Sequence, residues 1–349
     1  MGQKKELIRQ YVGSGLRLSD ALQIAKLSKS TYYYKRNFKT TGRTKTSQTN
    51  VNGQLKSDNE VVKRIREILG LEFIDYGYRK VTVQLKREGY KIGKKKVYRL
   101  MSENNLLNPT KIRTQVFNKE IIRSKPKADK PLKIIELDIK YIYIEGNKRH
   151  AYLITLLDVF HRQAYNWTLS YSMSAKVVVD LILKFVDDHI IPCGVDPSTL
   201  ELSFRSDNGT QFISNAYRRL MEKFNFTAVY IPPATPQLNG HIESFHSTVQ
   251  KLVCDKYEFE NLSYAIEVFE RFFDTYNNHR YLSCLLDLPP NVFITFWNKG
   301  LIVLKEVKNK YKFFFKEEGA GIDNQTLDPN SPSPFEVNLN NDLGFFWVS

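Results

Sequence analysis

The sequence predicts an α/β protein in which a mixed five-stranded sheet with flanking helices follows two small all-α units of helix-turn-helix character. Three observations predict it. Helical periodicity broken by glycines runs to about residue 105; after Pro131 the order becomes three strands, helix, strand, helix, strand, helix; and the charge changes sign between the two regions. Residues 1–130 hold 31 Lys plus Arg against 11 Asp plus Glu, a net +20, while residues 131–349 hold 21 against 26, a net −5. A polyanion such as nucleic acid is the natural partner of so basic a half, because side chains that neutralise phosphates release counterions. A surface charged only for solubility would not need the asymmetry.

Composition excludes several classes. With 349 residues, 42% hydrophobic and 26% charged, the chain has globular values and room for two or three domains. No apolar run approaches the ~20 residues of a membrane helix, and the opening MGQKKELIRQ has no apolar signal segment. A cytoplasmic, nucleoid-associated protein is expected. Cys193, Cys254 and Cys284 lie far apart with no CxxC, which argues against a disulfide framework or a structural zinc site.

Residues 16–36, LRLSDALQIAKLSKSTYYYKR, predict two short helices within a helix-turn-helix unit spanning 1–40. Ser19 is placed to cap the first, Leu22, Ile24 and Ala25 to form its apolar stripe, and Ser28 to cap the second. That second helix would present Lys29, Ser30, Tyr32, Tyr33 and Lys35 to a phosphate backbone and groove edge. Residues 41–57, polar and without periodicity, predict a flexible linker.

Residues 58–107 predict a second helical DNA-binding domain. VVKRIREILG, YRKVTVQLKREG and KKKVYRLMSENN are separated by glycines, with Val61, Ile65, Ile68, Leu69, Val97, Leu100 and Met101 on the buried faces. The last helix opens with Lys94, Lys95 and Lys96, and Arg99 follows a turn later. Residues 108–130 read as a basic linker and 131–297 as the α/β core. In the core, KIIELDIKYIYIEG and KRHAYLITLLDVFHR form a hairpin about Glu145-Gly146-Asn147, and after the irregular PPATPQL a helix starts at Asn239 or Gly240. Residues 298–349 form a C-terminal tail to which the sequence assigns no role.

Three acids stand out. Asp138 lies within the first core strand, Asp207 ends the fourth before an Asn-Gly turn, and Glu243 sits in the first turn of the helix after the proline-rich loop. Each has an ordinary structural reading: an edge residue, a turn residue, an acid at a helix N-terminus. Burying Asp138 among Ile, Leu and Tyr is nonetheless costly unless a cation compensates it. Carboxylates bridging two divalent ions can align in-line attack on phosphorus, and hard oxygen ligands favour Mg2+, with Mn2+ as substitute.

ELDIKYI, RSDNGTQF and TPQLNGHIESFHSTVQK resemble the three acidic motifs of the integrase-like DDE transposases, which have a ribonuclease-H-like core, and 35 residues separate Asp207 from Glu243 as in that group. The pattern is most similar to the second-frame protein of insertion sequences of the IS-three type. It extends over roughly residues 15–297 and includes STYYYKR, YGYRKVTVQLKREGYKIGKKKVYRLM and YNNHRYLSCLLDLPPNVF.

The resemblance implies a DNA transposase that binds the ends of an insertion sequence, then cleaves and joins strands in a metal-dependent way through a strand-joined circular intermediate. Asp138, Asp207 and Glu243 would hold two Mg2+ ions. Double-stranded DNA, both element ends and target, would meet Lys29, Ser30, Tyr32, Lys35, Lys94, Lys95, Lys96, Arg99, Asn239, His246 and Lys251. A homo-multimer on DNA and a first-frame partner protein are implied as well, and the acid at Asp158 takes a structural role.

The chain departs from the family pattern at Ile135, where Trp is common, and at Lys140, where Thr is common. It also has Gln250 where a basic residue usually follows the Glu by seven; Lys251 is next, rotated by about 100°. The alternatives are a catalytically inactive DNA-binding derivative or repressor of transposition, a retroviral-type integrase and a ribonuclease for RNA-DNA hybrids. The integrase would carry a His/Cys zinc module, yet no Cys precedes Cys193. The basic N-terminal units fit duplex recognition better than hybrid cleavage.

Overall fold

The structure, a computed structural model, describes residues 2–33, 46–109, 127–232, 239–308 and 310–316. These fall into two units, Met1–Ser47 and Gln48–Ser349.

The first unit comprises α1 (Gly2–Gly13), α2 (Leu18–Ile24) and α3 (Lys29–Tyr33) around Ile8, Ala21 and Leu22. Ser28 caps α3 as the sequence predicts, accepting from the Thr31 amide at 3.2 Å. Ser19 does not cap α2. The helix starts two residues earlier with Arg17 at its N-cap, and the Ser19 hydroxyl turns to Asp20 Oδ1. Ile24 is 75% exposed, because two residues of helix rotate it by about 200° from the buried Leu22.

The second unit opens with a hairpin, β1 (Gln48–Val51) and β2 (Gln54–Ser57), in a stretch that polarity alone assigns to a linker. Its turn is Asn52-Gly53 with φ of 49° and 91°, a pairing that favours a tight hairpin. Val51 joins the core of the helices that follow, α4 (Asp58–Leu69), α5 (Tyr78–Arg87) and α6 (Lys94–Glu103), packed on Val61, Ile65, Val81, Leu85, Val97 and Leu100. The start of α4 is set by a capping box: the Glu60 amide donates to Ser57 Oγ while the Ser57 amide donates to Glu60 Oε2.

The main sheet contains β3 (Ile134–Ile144), β4 (Arg149–Asp158), β5 (Ala164–Ser170), β6 (Ser203–Ser206) and β7 (Thr227–Tyr230), in the order β5-β4-β3-β6-β7. The first three are an antiparallel meander; β6 and β7 add parallel to β3. Between β5 and β6 comes α7 (Ala175–Phe185), and α8 (Asn215–Lys223) precedes β7. Then follow α9 (Gly240–Val249), α10 (Leu262–Asp274) and α11 (Pro290–Asn298).

Because β3 is central, both its faces are buried. Ile135 and Leu137 share a cluster with Val178, Ile182 and Phe185 of α7, whereas Ile142 and Ile144 share one with Ile242 and Phe245 of α9 and Phe269 and Phe272 of α10. The β3–β4 turn presses on the segment before α10. A Cβ on Gly146 would lie 1.9 Å from the backbone oxygen of Glu260, so Gly146→Ala is expected to cost about 1–3 kcal/mol in denaturant unfolding.

The loop between α4 and α5 fastens the helical unit to the core. Phe73, at φ 58°, lies against the rings of Tyr257 and Phe272, and the Tyr76 ring stacks on Tyr281 at 5.4 Å. Arg280 donates to Asp75 Oδ1 at 2.7 Å and to the Phe73 carbonyl at 3.2 Å, and Lys251 pairs with the other Asp75 oxygen.

Part of the tail is also structured. β8 (Ile302–Val307) and β9 (Lys310–Phe315) form a hairpin whose Ile302, Leu304 and Phe313 pack with Phe160, Phe293 and Trp297. Among the described residues no helix is long and apolar enough to cross a membrane.

Candidate active site

The parallel pairing of β3 with β6 runs from Ile134↔Ser203 to Glu136↔Arg205. Carried on by two residues, that register sets Asp138 level with Asp207, the residue immediately after β6. The Asp207 turn is held on both sides. Asp207 Oδ1 accepts from the Gly209 amide at 3.0 Å, and Asn208 Nδ2 donates to the Ile231 carbonyl just beyond β7 at 2.9 Å. Asp207 is exposed.

The third acid arrives on α9. Ile242, Phe245 and Val249 bury one side of this helix against the sheet and leave Glu243 on the exposed side near Asp138. Burial, then the neighbouring charge of Asp138, pushes the Glu243 carboxyl above its usual range, and His246 opposes the rise. Asp138 Oδ1 accepts from the Ile139 amide at 2.9 Å, and its Oδ2 lies 3.2 Å from His246 Nδ1.

Glu136, two residues before Asp138 on the same strand face, is fully buried. Its Oε2 accepts from the Ile242 amide at 2.8 Å, so the first turn of α9, which carries Glu243, is tied to the strand that carries Asp138. Burial raises the Glu136 carboxyl to about 7, against the pull of the α9 amides, Arg162 and Arg205. Glu136→Ala is expected to cost about 1–3 kcal/mol in thermal unfolding by leaving a buried donor unpaired, whereas Glu136→Gln keeps an acceptor there. The sequence signal was an acid in an apolar strand at even spacing from Asp138; what opposed it was invisible.

The acids are hard oxygen donors whose mutual repulsion a divalent cation would relieve, so their chemistry fits a metal. Among the described residues, however, no three His, Cys, Asp or Glu side chains converge closely enough to hold one. The structure sets Asp138 against His246 and within electrostatic reach of Glu243, without closing the acids into one ligand cluster.

The integrase core domain family matches residues 128–236, a second integrase core domain family matches 225–290, and an HTH-like domain family matches 56–113. The InsK protein of insertion sequence element IS150 from Escherichia coli strain K12 is 25% identical over 283 residues, covering 78% of this chain and 92% of the relative. The transposase for insertion sequence element IS629 of Shigella sonnei is 25% identical over 241 residues, 67% of this chain and 78% of the relative. The chain carries an integrase core and an HTH-like domain and is similar over most of its length to transposases of insertion sequences. Among solved structures, the catalytic core domain of HTLV-2 integrase in complex with magnesium is 12% identical with a TM-score of 0.35, over 47% of this chain and 96% of that one.

The predicted DNA contacts of the transposase divide sharply. Lys29, Ser30, Lys94 and Lys95 are exposed, but Tyr32 packs against the core of the first unit. Lys96 and Arg99 both pair with Asp58, at 2.7 and 2.8 Å, and Lys96 also donates to the Gln48 carbonyl. They hold α6 to α4 and the hairpin instead of standing out as a phosphate-binding row. Asn239 and His246 are buried, and His246 faces Asp138 where the sequence suggests a DNA-side group. Lys251 is committed to Asp75. Lys35 lies outside the described residues. Asp158, fully buried, accepts from the amides of Leu132, Phe160 and His161, which suits the structural role expected of it.

Proposed function

We propose that this transposase binds the ends of its insertion sequence, cuts a phosphodiester there and joins the freed 3′-hydroxyl to a second phosphodiester, with Asp138, Asp207 and Glu243 as the catalytic carboxylates. The observation that supports this reading is the β3–β6 register, which runs on to set Asp138 level with the Asp207 turn, while Glu136 on the same strand holds the first turn of α9 that carries Glu243.

The three carboxylates would hold two magnesium ions, or manganese in their place, which when bound polarise the phosphoryl oxygens and activate the attacking oxygen. The protein's own share is positioning. The Ile139 amide and His246 aim Asp138, the Gly209 amide holds Asp207, and Glu136 fixes the turn that carries Glu243. Cleavage and joining are both in-line phosphoryl transfers, so one set of carboxylates serves both and no covalent enzyme intermediate is needed.

Lys94 and Lys95 on α6, with Lys29 and Ser30 on α3, would bind phosphates and set the register on the element end. Bringing two ends together calls for a multimer, and a protein from the element's first reading frame would complete the assembly.

The test is strand transfer on a labelled duplex carrying the element's end, with Mg2+ or Mn2+, by the wild type and Asp207→Asn. Metal-dependent joined products from the wild type alone support the reading. End binding with no cleavage or joining by either protein, even with the first-frame protein added, would favour a DNA-binding derivative.

A further inference from the structure

Lys140 follows Asp138 by two residues on β3, so both side chains leave the strand on the face toward α9. Its Nζ donates to Gln250 Oε1 at 2.8 Å. Gln250 in turn donates through Nε2 to Asp255 Oδ1 at 2.7 Å, which turns its amide oxygen toward the lysine. Among the described residues no carboxylate lies within ion-pair distance of Lys140. The partner is a neutral dipole, so the ammonium is aimed without being neutralised.

Gln250 follows Glu243 by seven residues, roughly 10 Å along the helix at 1.5 Å per residue. Strand and helix meet here through one cationic and one neutral polar side chain, and the two touch. Lys251, the other cation near this position, is turned toward Asp75.

We infer that Lys140 is the cation of this site that contacts DNA, binding a phosphate of the element end next to the one that reacts, with Gln250 as its positioning partner. The inference rests on the strand-transfer reading above. Gln250, which holds the ammonium, stands about two helical turns from Glu243, which suits a phosphate beside the reacting one.

The experiment compares the full-length wild type with Lys140→Gln, Lys140→Thr and the exchange variant Lys140→Thr/Gln250→Lys on the labelled end duplex. It measures joining rate, end binding at several salt concentrations, and Tm. Lys140→Gln is expected to lower joining by roughly 10- to 100-fold, the factor for one charge-assisted hydrogen bond, to reduce the slope of log affinity against log salt by about one phosphate contact, and to leave Tm unchanged.

The exchange variant is expected to recover most of the joining that Lys140→Thr alone loses, which a purely structural role for Lys140 would not produce. Wild-type joining and salt slope in Lys140→Gln, or an exchange variant no better than Lys140→Thr, would overturn the inference. If the wild type itself joins nothing, the strand-transfer reading fails, and an unchanged salt slope would still overturn the phosphate contact by itself.

Discussion

Glu243→Gln is expected to abolish strand transfer while slightly stabilising the metal-free protein. The two effects share one cause. In the folded chain Glu243 lies on the exposed side of α9, where its limited desolvation and then the charge of Asp138 raise its carboxyl above the usual range. Removing its charge relieves a repulsion, worth about a few tenths of a kcal/mol at a site open to water. If Glu243 is one of the three proposed metal-holding carboxylates, the same removal should lower the rate by more than the ~10- to 100-fold that follows loss of a mere supporting partner of a metal ligand. Calorimetry with and without Mn2+ separates the two effects. The wild type should gain Tm on adding the ion and the variant should not. Joined products from Glu243→Gln at near wild-type rate would remove this residue from the catalytic set.

Arg280→Ala is expected to produce the largest loss of stability, about 3 kcal/mol in denaturant unfolding. Arg280 is buried and binds both Asp75 and the Phe73 carbonyl across the contact between the helical unit and the core. Deleting Arg280 leaves Asp75 with Lys251 alone and the Phe73 carbonyl without its donor, and losing one partner of a buried ion pair is costlier than the pair was worth. The variant should therefore loosen α4–α6 from the core, read as faster proteolysis near residues 70–77 while the sheet stays protected. A fully coincident loss of both regions would show that the helical unit and core unfold only together.

The same contact sets a pH window. Burial would push the Asp75 carboxyl up, but Arg280 and Lys251 overcome it and hold it at about 2, below its ordinary value of 3.8. A depressed carboxylate stabilises the fold above its unfolded value and loses that stabilisation as pH falls through the folded one. Stability should thus drop between about pH 4 and pH 2, by roughly 1–2 kcal/mol once solvent screening is allowed for. Asp75→Asn should flatten that part of an acid-unfolding curve.

Much of this architecture was legible in the sequence because it follows from periodicity and punctuation. The strand and helix order after Pro131 survives intact as β3 to α10, and the elements that carry Asp138, Asp207 and Glu243 are those expected. The hairpin at 48–57 was missed although Asn52-Gly53 announced it, since short polar strands carry little hydrophobic signal and become stable only when Val51 finds the helices behind it. The DNA contacts were harder, because a lysine reads alike whether it faces solvent or a carboxylate. Lys94 and Lys96 differ in what the fold brings opposite them: Asp58 and the Gln48 carbonyl stand against Lys96.

The sequence by itself determined the order of elements, the three acids and the helices that carry the exposed cations, all of which depend on neighbours along the chain. Only the tertiary structure decided which charges are already paired: Lys251 and Arg280 with Asp75, Lys96 and Arg99 with Asp58, Lys140 with a neutral amide, and Glu136 with the amide of α9. The physical reason is range. Periodicity is fixed by geometry repeated every few residues, while a side chain's charge state and freedom are set by whatever the fold brings within a few ångströms, from positions up to about 200 residues away.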